Sequence, residues 1–295
     1  MTAVAKKSAV PKSLRLAYQV PGKHWVGNGF HVHGLLRPTP ELNAFISPFI
    51  LMDYAAPEYF VPSDQKRGVG QHPHRGFETV TLAYQGEVEH RDSSGGGGII
   101  IPGGVQWMTA GRGIVHDEFH SKLFTEAGGD FEMVQLWVNL PKKDKLTAPK
   151  YQGYRAEEIP VTTVGAQTRL RVIAGGFERL KGPASTFTEI NVYDLDSSAG
   201  DEFSLELASG TNTILLTMQG EVAVHGETYE PRTILIFDQD GSSLPLSLSA
   251  GFKGLLLNGE PIDEPMVAHG PFVMNSDEEI VQAIRDFQSG AMGKL

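Results

Sequence analysis

The chain has 295 residues, 40% of them hydrophobic and 20% charged, enough to bury one large core or two ordinary ones. Its 25 basic residues against 35 acidic ones leave a net charge of −10, which argues against a nucleic-acid-binding face. Cysteine is absent, so disulfides, thiolate nucleophiles and zinc–thiolate sites are excluded; any metal must rest on histidine, carboxylate or water.

In chain order, residues 1–12, "MTAVAKKSAVPK", carry lysines but no apolar core of leader length, and no run of about 18 apolar residues occurs anywhere. The expectation is a soluble, cytoplasmic protein that engages no membrane, with a nuclear location open in a eukaryotic host. Short β-rich runs then recur between Gly, Asp and Pro breakers: "FETVTLAY" (77–84), "GIIIPGG" (98–104), "FEMVQLWVNL" (131–140), "TNTILLTM" (211–218), "RTILIFD" (232–238) and "FKGLLLNG" (252–259). Such runs suit a β-sandwich or barrel. "GGGG" at 95–98 has neither a following lysine nor a helix start, so it reads as a hairpin tip and not a phosphate cradle.

"PKKDKLTAP" (141–149) is charged, bounded by prolines and free of strand pattern, and reads as a linker. It divides the chain into residues 1–144 and 145–295. Gln-Gly-Glu-Val occurs at 85–88 and again at 219–222, each time after a β-run, which suggests duplication of one β-domain. The clearest helix lies near the C-terminus. Ser276 and Glu279 form a capping box before "EEIVQAIRDFQ", with Ile280, Ile284 and Phe287 on one face and Gly290 as the stop.

The chemistry concentrates in histidines. "HPH" holds His72 and His74 at i, i+2, a spacing that projects both imidazoles to one face of an extended chain. Pro73 fixes φ, bars His72 from the helical region and lacks an N–H, which suits an edge strand. In "GIVHDEF", His116 and Glu118 repeat the spacing. Two such pairs on facing strands would offer three nitrogens and a carboxylate to one six-coordinate ion, with positions left for water or substrate. Fe(II), Mn, Ni, Cu and Zn all accept such donors. "FHVHG" places His31 and His33 at the same spacing, but no carboxylate of the His116/Glu118 kind stands nearby in sequence; these two read as exposed strand positions. His120 would share the face of Glu118 and reads as a support or cleft-lining residue.

"HPHRGFETVTLAYQGEVEHRDS", "PGGVQWMTAGRGIVHDEF", "VQLWVNLP" and "GEPIDEPMVAHGPFVMNSDEEIVQAIRDFQSG" together resemble the pirin family of the cupin superfamily, over a stretch from about Pro48 to Gly290. The resemblance implies an all-β fold of two tandem jelly-roll-like cupin barrels with a short C-terminal helix. It implies one mononuclear metal, usually iron, in the first barrel, held by His72, His74, His116 and Glu118. The second half has no His-x-His and is expected to be metal-free. Two activities follow from the resemblance. One is a quercetin 2,3-dioxygenase that opens flavonols with O2 and releases carbon monoxide, with Glu118 as general base. For it, Phe77, Trp107 and Met108 are candidates to line the pocket, with Arg75, Arg112 and His120 beside them. The other is a non-catalytic, redox-responsive iron protein acting through protein partners.

Overall fold

In the computed structural model, residues 9–295 are described; residues 1–8, most of the stretch read above for a leader, lie outside them. The strands β1 (Leu14–Gln19), β2 (His24–Val26), β3 (Phe30–Leu36), β4 (Phe49–Phe60), β5 (Gly68–His74) and β6 (Phe77–Gln85) come first. They are followed by β7 (Val88–Asp92), β8 (Gly97–Ile100), β9 (Val105–Thr109), β10 (Ile114–His120), β11 (Gly129–Asn139) and β12 (Lys150–Tyr154). The second half runs through β13 (Val161–Val164), β14 (Thr168–Ala174), a small hairpin of β15 (Gly176–Phe177) and β16 (Leu180–Lys181), and β17 (Ile190–Ser197). Next come β18 (Asp201–Glu206), β19 (Asn212–Gln219), β20 (Val222–Val224), β21 (Glu227–Tyr229), β22 (Thr233–Phe237), β23 (Ser243–Leu248) and β24 (Phe252–Gly259). A hairpin, β25 (Val267–His269) and β26 (Phe272–Met274), leads to the last helix, Asp277–Gln288.

Each half is a seven-stranded sheet closed by a four-stranded one, and the two halves repeat each other strand for strand. The first has orders β12-β9-β6-β11-β4-β3-β2 and β5-β10-β7-β8; the second has β1-β22-β19-β24-β17-β14-β13 and β18-β23-β20-β21. The Gln-Gly-Glu-Val repeat marks the same turn in both. Gly86 (φ 73°) joins β6 to β7 and Gly220 (φ 66°) joins β19 to β20, a left-handed conformation that glycine adopts without a Cβ penalty.

The division at 144/145 follows neither sheet edge. β1, from the start of the chain, pairs with β22 of the second half, whereas β12, which leads into the second half, pairs with β9 of the first. Each leading strand thus completes the other half's sheet. The segment at 141–149 is not a free linker either: Lys145 is fully buried and its Nζ donates to Gly76 O (2.8 Å), Asn139 Oδ1 (2.7 Å) and Val273 O (2.8 Å).

Two faces of every central strand are buried, which is why the runs read as nearly continuous apolar stretches. Along β6, Val80 and Leu82 join Trp107, Val134 and Leu136 in one cluster with Ile214, Leu216, Ile234, Ile236, Leu255 and Leu257 of the second half. The two large sheets therefore pack back to back. The opposite faces fill the barrels. The second barrel is packed with aliphatic and aromatic side chains, including Leu205, Leu244, Leu246 and Leu248 from β18 and β23. The first is apolar at one end only, around Phe30, Val32, Ala55 and Phe131.

The last helix is capped as its sequence predicts, with Ser276 Oγ accepting from Glu279 N at 3.3 Å. Its inner face is Ile280, Ala283 and Ile284, packed on Phe272, Met274 and Val115 of β10. Phe287, expected on that face, is 40% exposed and stands outside this small cluster. The hairpin tip at 95–98 forms between β7 and β8, held by Asp92 Oδ1, which accepts from Ser94 N (2.8 Å) and Gly96 N (3.0 Å).

Candidate metal centre

β5 is an edge strand, as the proline requires, and pairs antiparallel with β10. In that register His72 stands opposite His116, His74 opposite Ile114, and Pro73 opposite Val115. Directly opposed residues share a face, so the imidazoles enter the barrel while Pro73 and Val115 face the C-terminal helix. An irregularity between His116 and Glu118 places Glu118 opposite Val69. His72, His74 and His116 present ligand atoms that all lie within 4.8 Å of one another, and so do His90, His116 and Glu118.

The tautomers are set by carbonyl oxygens. His72 Nδ1 lies 2.8 Å from Gly70 O and His74 Nδ1 3.4 Å from Pro271 O, so each ring donates there and keeps Nε2 as the lone-pair nitrogen. His72 Nε2 then meets His116 Nε2 at 2.8 Å. Burial, reinforced by the neighbouring imidazoles, holds His74 and His116 well below the usual histidine range, so both are neutral. Neutral, convergent imidazoles beside a carboxylate are the donor set of a divalent transition ion, and the cluster can hold one.

One participant lies outside the four sequence-derived positions. His90, on β7 beside β10, is fully buried; its Nδ1 lies 3.3 Å from His116 Nδ1 and 3.9 Å from Glu118 Oε1. Its Nε2 faces Asp92 Oδ2 at 3.3 Å, Gln106 Nε2 lies 3.3 Å from its Nδ1, and Tyr151 stacks on its ring at 5.4 Å. Burial opposes its charged form, but hydrogen bonds and the charges of Asp92 and Glu118 outweigh that and raise it to about 9. The signal was present in "VEHRD", where His90 and Asp92 repeat the i, i+2 spacing of the other two pairs. Only the third dimension shows that this pair backs His116.

A cavity of about 320 Å³ opens on the cluster. His72, His74 and Glu118 form one side; Val26, Phe30, Val32, Val69, Met133 and Trp137 make an apolar wall, and Asp53 and Gln135 are its other polar members. The sequence-derived pocket candidates sit elsewhere. Trp107 faces the seam between the two large sheets, because alternation along β9 sends Gln106 to the barrel interior and Trp107 away from it. Met108 packs with Ala110 and Ile114. Phe77 is buried behind the site, 5.1 Å from the His74 ring and 4.3 Å from Trp137, so it supports the wall without lining it. Trp137, unassigned from sequence, takes the place expected of Phe77 and Trp107.

The basic candidates are also engaged elsewhere. Arg75 is buried, ion-paired with Asp286 at 2.7 Å, and donates from Nε to Arg112 O at 2.6 Å, while the Arg112 side chain is exposed. It ties the metal strand to the last helix. His120 contacts Gly29 O through Nε2 at 2.9 Å and lies among Phe30, Phe60, Phe124 and Phe131, where burial lowers it to about 4. His31 and His33 are not exposed strand positions. His31 stacks on Trp25 at 4.5 Å and bonds Glu58 at 2.9 Å, and His33 is buried with Nδ1 2.8 Å from Val20 O. Neither faces the cavity.

Comparisons with known proteins agree with this architecture. Residues 30–138 match the Pirin family model and residues 192–293 match the Pirin C-terminal cupin domain. A Pseudomonas aeruginosa protein carrying a provisional quercetin 2,3-dioxygenase name is 49% identical over 276 residues, covering 92% of this chain and 96% of that one. Mouse pirin is 36% identical over 260 residues, 86% of this chain and 85% of its own. A crystal structure of quercetin 2,3-dioxygenase from Acinetobacter baumannii superposes with a TM-score of 0.93 at 47% identity, covering 97% of this chain and 99% of that chain. With both halves matched in order and relatives aligned over most of its length, the chain belongs to the pirin family.

Proposed function

We propose that the protein is a metal-dependent dioxygenase of quercetin-like flavonols, cleaving the heterocyclic ring with O2 and releasing carbon monoxide. The observation that carries the reading is a cluster of convergent imidazoles with one carboxylate, open on one side to an apolar cavity of about 320 Å³. That volume is at the lower end of the range for small-molecule sites and suits a flat aromatic substrate. The ligands in this reading are His72, His74, His116 and Glu118, and the ion is mononuclear and divalent, iron(II) foremost.

When bound, the ion supplies Lewis acidity toward the flavonol 3-oxygen and one-electron chemistry toward O2. The chain's residues do the rest. Glu118 faces the cavity and takes the 3-hydroxyl proton. Trp137 and the valines Val26, Val32 and Val69 exclude water and hold the flavonol plane. Hydrogen bonds to carbonyl oxygens hold the His72 and His74 rings so that their Nε2 atoms would be the ones to hold the ion.

The test is aerobic incubation of protein loaded in turn with Fe, Mn, Ni and Cu with quercetin, reading flavonol absorbance and carbon monoxide. Turnover with at least one metal is expected. Glu118→Gln should suppress it far more than His120→Ala, since His120 lies behind the barrel wall. No flavonol consumption with any metal overturns the reading.

A further inference from the structure

The cavity wall is apolar except at the metal ligands and at one rung of the large sheet. Asp53 on β4 stands directly opposite Gln135 on β11, which stands opposite Thr81 on β6. Residues so opposed share a face, and here that face is the barrel interior. Thr81 Oγ1 lies 2.8 Å from Gln135 Oε1 and 3.4 Å from Glu118 Oε1, so its single proton goes to the nearer glutamine oxygen. That bond turns the Gln135 amide nitrogen away from Thr81. On the other side, Arg37 Nη2 engages Asp53 Oδ1 at 2.5 Å. Among the described residues neither Gln135 Nε2 nor Asp53 Oδ2 has a hydrogen-bond partner, and both side chains line the cavity.

An amide donor and a carboxylate acceptor side by side in an apolar wall suit a hydroxyl, which accepts from the first and donates to the second. Adjacent strands are about 4.8 Å apart, so the rung carries this pair from one to two strand spacings, about 5 to 10 Å, away from Thr81 and its neighbour Glu118. We infer that Asp53 and Gln135 form a hydroxyl-recognition subsite, which takes a phenolic hydroxyl on the part of the ligand remote from the metal. The inference rests on the flavonol reading above and adds to it the requirement for a second, distal hydroxyl.

Anaerobic titration of the zinc-loaded protein, followed by flavonol absorbance, tests this with two probes. Quercetin carries hydroxyls on its outer rings and 3-hydroxyflavone carries none. Gln135→Met and Asp53→Asn should each raise the Kd for quercetin about tenfold or more, the cost of an unpaired polar group. The Kd for 3-hydroxyflavone should change less than about twofold on the same scale. Gln135→Met leaves the Arg37–Asp53 pair intact, and its loss of the Thr81 bond, which lies beside Glu118, would reach both probes alike. Equal loss for both probes, an unchanged quercetin Kd, or wild-type protein that binds the two probes equally overturns the subsite. Selective binding without aerobic turnover would instead sink the dioxygenase reading and leave the subsite standing, whereas turnover without selectivity does the reverse.

Discussion

His72 Nε2 and His116 Nε2 face each other at 2.8 Å across two paired strands, with the Nδ1 of His72 committed to a carbonyl oxygen. Two ring nitrogens at that separation share one proton or one cation. An ion should therefore stabilise the fold: about 2.7 kcal/mol when the free metal stands at a hundred times its Kd. Calorimetric titration should give about one divalent transition ion per chain for this one cluster. His116→Ala should lose both the binding and the thermal shift. A variant that keeps the shift would place the ion elsewhere.

His90 stands against both His116 and Glu118, and is expected to act on the site by holding them. The buried chain Asp92–His90–His116 fixes the ring that both candidate triads share. Replacing His90 with Leu should weaken metal affinity by about 10- to 100-fold, as loss of an outer-shell partner does. Competition against a chelator measures this, with circular dichroism as the control for folding. Unchanged affinity would reduce His90 to a packing role.

Lys145 spends all three ammonium protons on Gly76 O, Asn139 Oδ1 and Val273 O, joining the strand after the metal ligands to the C-terminal segment. Lys145→Met should cost about 3 kcal/mol in urea unfolding, because three acceptors lose their donor. Lys143→Met, on the exposed side of the same turn, should change stability by less than about 0.5 kcal/mol. Equal effects would mean the three bonds hold nothing together.

Glu78 is buried on β6, and burial raises it to about 7 despite the Thr109 hydroxyl at 2.7 Å. Between the unfolded value near 4.5 and this folded value, the folded chain binds more protons than the unfolded one. The contribution of Glu78 to stability is thus fully present below about pH 4.5 and is lost as pH rises through about 7. Glu78→Gln should flatten the fall in stability between pH 5 and pH 8 by about 2.5 kcal/mol. Denaturant midpoints at the two pH values decide it; parallel curves for wild type and variant would refute the shift.

Within the first half, the residues brought together are those whose signal is local. Alternation puts His72 with His74, and His116 with Glu118, on one face whatever the rest of the chain does. Alternation does not say which face is inside. Trp107 and Met108 are adjacent and must point oppositely, and in a strand buried on both sides no hydrophobic contrast tells the barrel interior from the seam between sheets. Trp137 was hidden for the same reason, and His31 gained its carboxylate, Glu58, from a different strand.

By itself the sequence determined the all-β class, the duplication, the two histidine-bearing strands and the capped last helix, because strand period, turn glycines and capping are short-range. Tertiary structure alone decided that β1 and β12 change places between the halves, that His90 backs His116, and that Asp53 meets Gln135. Each of these joins residues far apart in the chain, and their pairing is set by which apolar faces find each other, which no local pattern records.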